Sequence, residues 1–168
     1  MNKFFKIIML TGLAIFANNI SAQTLSEDAI ERGISETCSK YLNQIESSYD
    51  LIGLNITFAH KENPSLYPSL HVSSKNYNNG SSIFSATLTP DSDYCYLSTV
   101  YVTTLNNQSC SEITDLKLQE NPQLKLSTFA EGAYTIITPS DNSYQIMLTT
   151  SGESGCSMTE IRMLWPGR

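Results

Sequence analysis

Hydrophobic and polar residues alternate along this chain with two different periods. Between residue 25 and about residue 50, apolar side chains recur every three or four positions, which is the spacing of one stripe on an amphipathic helix. The stripe consists of Ile30, Ile34, Cys38, Tyr41, Ile45 and Tyr49. Thr24-Leu25-Ser26-Glu27 precedes it and matches a capping box, the pattern that starts many helices. The sequence therefore predicts one long helix whose Cys38 thiol faces the core.

Beyond Gly53 the period changes to two, which is typical of β-strands. Residues 61–64 break the first strand, Asn78-Asn79-Gly80 is a turn of the hairpin type, and Pro90-Asp91-Ser92-Asp93 turns the chain again. The predicted strands are 54–59, a strand around 70–72, 83–89 and 94–104.

The same order of elements then returns. Ser109-Cys110-Ser111-Glu112 is a second capping box and predicts a short helix. The strands that follow are predicted around 124–126 and at 133–138, 144–150 and 156–165. In both halves one cysteine lies in the helix and another opens the fourth strand. The prediction is an α+β fold of two tandem units in one compact domain, 23–105 and 106–168, each a helix followed by a four-stranded antiparallel sheet. Either an internal duplication or chance recurrence of β patterns explains the likeness.

The four cysteines, Cys38, Cys95, Cys110 and Cys156, predict two disulfides in an exported chain. A duplication favours Cys38–Cys95 and Cys110–Cys156. A Cys95–Cys110 bond would require a bent or shortened fourth strand, since a straight strand over 95–103 is about 26 Å long and the seven steps to 110 return at most about 24 Å. Zinc is the weaker alternative, because no C-x-x-C pair is present. We expect no metal and no cofactor.

The first residues predict a secretory signal peptide. Lys3 and Lys6 give a basic start, residues 7–16 are mostly apolar, and Ile20-Ser21-Ala22 suits cleavage after Ala22. The apolar run is too short for a transmembrane helix, and no cysteine follows it to carry a lipid. We expect residues 1–22 to be removed and the mature protein to be periplasmic, without stable insertion into the membrane.

Charge narrows the class of partner. Cleavage would remove two of the ten basic residues and none of the sixteen acids, so the net charge would change from −6 to −8. An acidic surface disfavours nucleic acid and anionic lipid and favours a cationic partner. The alternative is that the acidity serves solubility alone.

No motif points to a reaction. His60 ends a strand beside a loop, and His71 alternates with Leu70 and Val72, so we predict that both histidines lie on the surface. Phosphate-binding loops and H-E-x-x-H are absent from the sequence. We therefore expect no catalytic residue, and a small hydrolase is the least favoured class.

The fourth strand is apolar on both faces. Tyr94, Tyr96 and Val100 alternate with Cys95 and Leu97. A helix covers only one face of a sheet, so the second face must meet the other half of the chain, a second subunit or a partner protein. The favoured interpretation is sheet packed on sheet within one molecule.

The residues from Ser109-Cys110 through Glu131-Gly132 and Leu148-Thr149-Thr150 to Gly155-Cys156, together with Tyr134, resemble small periplasmic proteins of Gram-negative bacteria. These include immunity proteins that neutralise type VI secretion effectors. The resemblance covers roughly the last 60 residues. The tandem plan is also similar to that of the β-lactamase inhibitor protein, without a shared motif. The resemblance implies a protein that binds another protein.

We therefore expect an exported immunity protein or inhibitor that occludes a cationic effector or a cell-wall hydrolase. Its contacts are predicted at two acidic turns and the nearby tyrosines: Asp91, Asp93, Tyr94, Tyr96 and Glu153. A structural or accessory envelope subunit is the alternative, and a homodimer is compatible with both.

Overall fold

A computed structural model describes residues 23–49, 51 and 54–164 of the protein. The predicted signal peptide, residues 1–22, and Trp165 lie outside the described residues. The helices are α1 (Leu25–Glu31), α2 (Glu36–Tyr49) and α3 (Cys110–Glu120). The strands are β1 (Leu54–Phe58), β2 (Ser69–Tyr77), β3 (Gly80–Asp91), β4 (Tyr94–Leu105), β5 (Lys125–Phe129), β6 (Tyr134–Thr138), β7 (Tyr144–Ser151) and β8 (Gly155–Leu164). The α+β class is confirmed.

The single long helix predicted for residues 25–50 is wrong, because the chain forms two helices there. Both halves of the capping box at Thr24 and Glu27 are present, as predicted. The break lies at Gly33, whose φ of +82° is a left-handed conformation that favours glycine. The N–H of Leu25 then hydrogen-bonds the Glu46 carboxylate of α2, so the two helices pack against each other.

Each half of the chain supplies four strands in antiparallel order. β1 to β4 follow one another as hairpins, and so do β5 to β8. The turn before Gly80 is as predicted, and glycine is required there because a Cβ would come within 1.9 Å of the Thr104 carbonyl oxygen. The two halves therefore repeat the predicted order of strands.

The halves are not two separate sheets, and that part of the prediction is wrong. β4 pairs with β8 over nine register positions, from Leu97↔Leu164 to Leu105↔Cys156. All strands thus form one antiparallel sheet in the order β1-β2-β3-β4-β8-β7-β6-β5. Val100 and Ile161 face each other across this join. Val100 lies five residues after Cys95, and Ile161 lies five residues after Cys156.

All three helices lie on one face of the sheet. α1 and α2 bury a core against β3 and β4 that includes Leu42, Phe84 and Leu97. α3 buries a second core against β6 to β8 that includes Ile137 and Leu148. These two faces are the same. Cys156, which bonds α3, and Glu160, which hydrogen-bonds Tyr49 of α2, are four residues apart on β8, so their side chains point to the same side of the sheet.

Both disulfides fasten a helix to a central strand. Cys38 of α2 bonds Cys95 of β4 with Cα atoms 5.3 Å apart, and Cys110 of α3 bonds Cys156 of β8 with Cα atoms 5.0 Å apart. The predicted pairing is confirmed. The expectation of sheet packed on sheet is wrong, because the halves lie side by side and no described element covers the other face of the sheet.

Candidate functional site

Four of the five predicted contact residues lie together at one end of the sheet. Asp91 ends β3 and pairs in register with Tyr94, which begins β4. Asp93 lies in the turn between them, and Tyr96 is opposite Thr89. The side chain of Tyr94 is 60% exposed, and both carboxylates are exposed. We call these four residues the β3–β4 tip.

The Cys38–Cys95 disulfide lies within the β3–β4 tip. Cys95 is the residue between Tyr94 and Tyr96, and it is 1% exposed because it faces α2. Since side chains alternate along a strand, both tyrosines project from the opposite face. A covalent bond to a helix therefore fixes the backbone from which the two aromatic rings project.

Glu153 lies at the other end of the sheet. It is in the turn from β7 to β8, where Ser154 Oγ donates to the carbonyl oxygen of Asn106 at 3.3 Å. β4 separates this turn from Tyr94 by its own length, about 36 Å at 3.3 Å per residue. Glu153 borders a groove of about 470 Å³ between α3 and the sheet that Ser and Thr side chains and Asp115 also line. One small contact cannot include both acidic turns.

We call the sheet face opposite the helices the open face. Residues that pair in register on neighbouring strands form rows across this face. One row runs Ile56, Val72, Ser85, Val100, Ile161, Gln145. The next row runs Ser74, Ile83, Val102, Thr159, Met147, Ile136, Ser127. The third runs Phe58, Leu70, Thr87, Ser98, Met163.

Groups of apolar side chains are therefore interspersed with Ser and Thr along all three rows. Phe58, Ile83 and Met163 are more than half exposed. The sequence showed the apolar positions of single strands but not this surface, because only the pairing of β4 with β8 brings the two halves into shared rows. The sign of this surface in the sequence was that the fourth strand carries apolar residues on both of its faces.

The prediction that both histidines lie on the surface is wrong for His71. His60 is exposed, but His71 is fully buried beneath α1. Its Nε2 lies 2.8 Å from Ser69 Oγ and its Nδ1 lies 3.1 Å from Thr57 Oγ1. Burial lowers the pKa of His71 to about 4, against an opposing effect of the Asp28 carboxylate. Strand β2 thus buries its polar face and exposes Leu70.

The cluster of Thr57, Ser69 and His71 contains the residue types of a catalytic nucleophile and its base, but it is buried and does not form an accessible active site. Ser69 is 3% exposed and Thr57 is 3% exposed, and both hydroxyls are used to satisfy the imidazole. The burial of Ser69 keeps its hydroxyl out of reach of a substrate. We assign the cluster to the interior of the fold, where each ring nitrogen has the partner that burial requires.

A second polar cluster joins the two halves on the helix side. Tyr49 of α2 donates to Glu160 of β8 at 2.8 Å, and Arg162 Nε contacts the same carboxylate at 2.6 Å. Burial, followed by the bond to Glu160, raises the pKa of Tyr49 to about 12. The guanidinium lies 4.9 Å from the ring centroid of Tyr144. Tyr49, Glu160 and Arg162 line a groove of about 330 Å³, and the two charged side chains are already paired with each other.

Two further observations concern chemistry. Within residues 23–49, 51 and 54–164, no group of three or more His, Cys, Asp or Glu side chains is placed to hold a metal ion. Over the same residues no helix has the length and apolar character needed to cross a membrane.

Comparison with known proteins gives no family for the chain. No protein-family model, no curated protein and no solved structure matches it.

Proposed function

We propose that the protein is an exported, non-catalytic protein-binding protein of the immunity or inhibitor type. It acts in the periplasm, where it occludes its partner. That partner is a toxin, a secreted effector or a cell-wall hydrolase. The contact is the β3–β4 tip, and Glu153 at the far end of the sheet is not part of it. The mature chain under this proposal is built from two tandem units that fused into one sheet.

The position of the Cys38–Cys95 disulfide is the observation that carries this proposal. The bond holds Cys95 against α2 while Tyr94 and Tyr96 project from the other side of the same strand. A contact that is rigid before binding loses less conformational entropy when the partner arrives. Tyrosine adds a large contact area with only two rotatable side-chain bonds.

The charge of the β3–β4 tip supports a basic partner. Asp91 and Asp93 are exposed beside Tyr94, and the chain as a whole is acidic. Carboxylates at the rim of a contact accelerate the encounter with a cationic surface more than they strengthen the final complex. An aromatic centre with an acidic rim therefore suits occlusion of a basic protein surface.

The test is photo-crosslinking in the host's own envelope. A benzophenone amino acid replaces Tyr94, and in a matched control it replaces Tyr67, which is 49% exposed in the loop before β2. We expect an adduct with another protein from position 94 and not from position 67, and mass spectrometry names that protein. The purified partner should then lose its activity when it is mixed with the wild-type chain.

Three results would count against the proposal. Equal adducts from positions 94 and 67 would show nonspecific proximity. A ladder of adducts that contains only copies of this chain would favour the alternative, an envelope subunit. Retained binding and inhibition by Tyr94→Ala would also remove the β3–β4 tip from the contact.

A further inference from the structure

The open face is large, apolar and uncovered by any described element. Its rows place Val100 beside Ile161 and Ile83 beside Val102. Val100 is 38% exposed, Ile161 43% and Ile83 51%. Contiguous apolar surfaces of this extent mark contact surfaces.

The open face is also nearly free of charge. Of the strand residues that the structure describes on it, only Asp91 at the end of β3 and Lys125 at the start of β5 are charged. Among the acids that the structure describes, all except Asp91 therefore lie outside the strand residues of this face. A cationic partner would find no counter-charge at the centre of this face, whereas a second copy of the same acidic chain would meet no like charge there.

The size of the open face suits a stable dimer. Eight strands at about 4.8 Å spacing make the face roughly 34 Å wide. Three rows and their margins cover roughly 20 Å along the strands, so the footprint approaches the 800 Å² or so per partner that stable complexes bury.

We propose that two copies of the chain associate through their open faces, sheet on sheet, with Val100 and Ile161 at the centre of the interface. A two-fold interface uses one surface twice and must be self-complementary. Rows that carry both apolar groups and small Ser and Thr residues satisfy that requirement, because apolar side chains of one copy fit over the small positions of the other. Two packed sheets would lie about 10 Å apart.

This dimer leaves the proposed partner contact accessible. Tyr94 is six residues from Val100 along β4, or about 20 Å, and thus lies at the margin of the packed centre. The inference does not depend on the proposed function, since the two concern different parts of the face.

The test is the mass and the dissociation constant of the mature, oxidised protein in solution, measured by sedimentation equilibrium between about 1 and 200 µM, the range in which modest interfaces dissociate. We expect a mass of two chains at the upper concentrations. The double variant Val100→Asp, Ile161→Asp should raise the dissociation constant at least about 100-fold, since four carboxylates would be buried without partners.

The matched control changes exposed apolar residues on the helix side. Ile30 is 56% exposed and Leu116 is 47% exposed. Ile30→Asp, Leu116→Asp should leave the dissociation constant within about twofold of the wild type, because surface substitutions away from an interface act weakly. Circular dichroism and thermal melting confirm that each variant is folded.

A second measurement applies if the double variant does not fold. A benzophenone amino acid at Ile161 should give an adduct of two chains whose crosslinked peptide belongs to an open-face strand. A wild-type chain that stays monomeric at 200 µM would overturn the inference. So would a dimer that the open-face variant leaves intact, one that the helix-side control abolishes, or a crosslink that maps to a helix.

Discussion

His71 illustrates how a single residue can reverse the apparent faces of a strand. Leu70 and Val72 are the apolar residues of β2, yet Ser69, His71 and Ser73 point into the interior. The polar face can be buried because Ser69 and Thr57 hydrogen-bond both ring nitrogens, which offsets the cost of desolvating the imidazole. The buried His71 ring makes the stability of the fold sensitive to acid.

We predict that stability falls as the pH falls from about 6.5 to about 4. The unfolded chain protonates His71 near pH 6.5, whereas the folded chain does so only near its lowered pKa of about 4. Between these values the unfolded state binds more protons, so the contribution of His71, about 3 kcal/mol in size, is lost on acidification. Urea unfolding of the oxidised protein at a series of pH values measures it.

The matched variant for this experiment is His71→Gln, which keeps polar atoms at the site but does not titrate. Its unfolding free energy should lack this part of the pH dependence, even though the variant is less stable at pH 7. Asp28 and Arg32 also act on His71 and remain in both proteins. Parallel pH curves for the wild type and the variant would contradict the assignment.

Sequence patterns gave the right type for most elements and missed features that depend on distant contacts. The spacing from Ile30 to Tyr49 stays helical in appearance across Gly33, because the chain re-enters a helix after only a few residues. The period of two along the fourth strand and the last strand cannot say which strands become neighbours. The turn between β3 and β4 could be predicted from Pro90-Asp91-Ser92-Asp93, but its wide separation from Glu153 follows only from the pairing of β4 with β8.

The two disulfides are equivalent as elements of stability but not in position. Cys38–Cys95 closes a loop with a sequence separation of 57, and Cys110–Cys156 one of 46. Each should contribute about 4 kcal/mol to the free energy of unfolding in the chain-entropy model. Only the first bond supports the strand segment that carries Tyr94.

We therefore predict that two paired alanine variants have similar stability but differ in function. Cys38→Ala, Cys95→Ala and Cys110→Ala, Cys156→Ala should each lose about 4 kcal/mol of unfolding free energy, measured by denaturant titration. At a temperature where both remain folded, only the first pair should bind the crosslinked partner more weakly. Equal loss of binding in both would mean that the disulfides act through general stability alone.

At the scale of the whole molecule, the join between β4 and β8 makes one cooperative structure out of two similar halves. Nine register positions cross it, and Tyr49 of the first half bonds Glu160 of the second. At a concentration where the chain is monomeric, we predict a single thermal transition whose calorimetric and van't Hoff enthalpies agree, as for a two-state domain. Two resolved transitions in scanning calorimetry would show that the halves unfold as independent units.

We propose that the protein acts by binding a basic partner at the β3–β4 tip, and a comparison of acidic residues at the two ends of the sheet tests this most directly. The measurement is the association rate with the crosslinked partner at several salt concentrations. Asp91→Asn, Asp93→Asn should slow association about tenfold at low salt and flatten its salt dependence, because the steering charges are lost. Glu153→Gln, an exposed acid about 36 Å away along β4, should leave both unchanged. Wild-type kinetics in the Asp91, Asp93 variant, or an equal effect of Glu153→Gln, would contradict the claim.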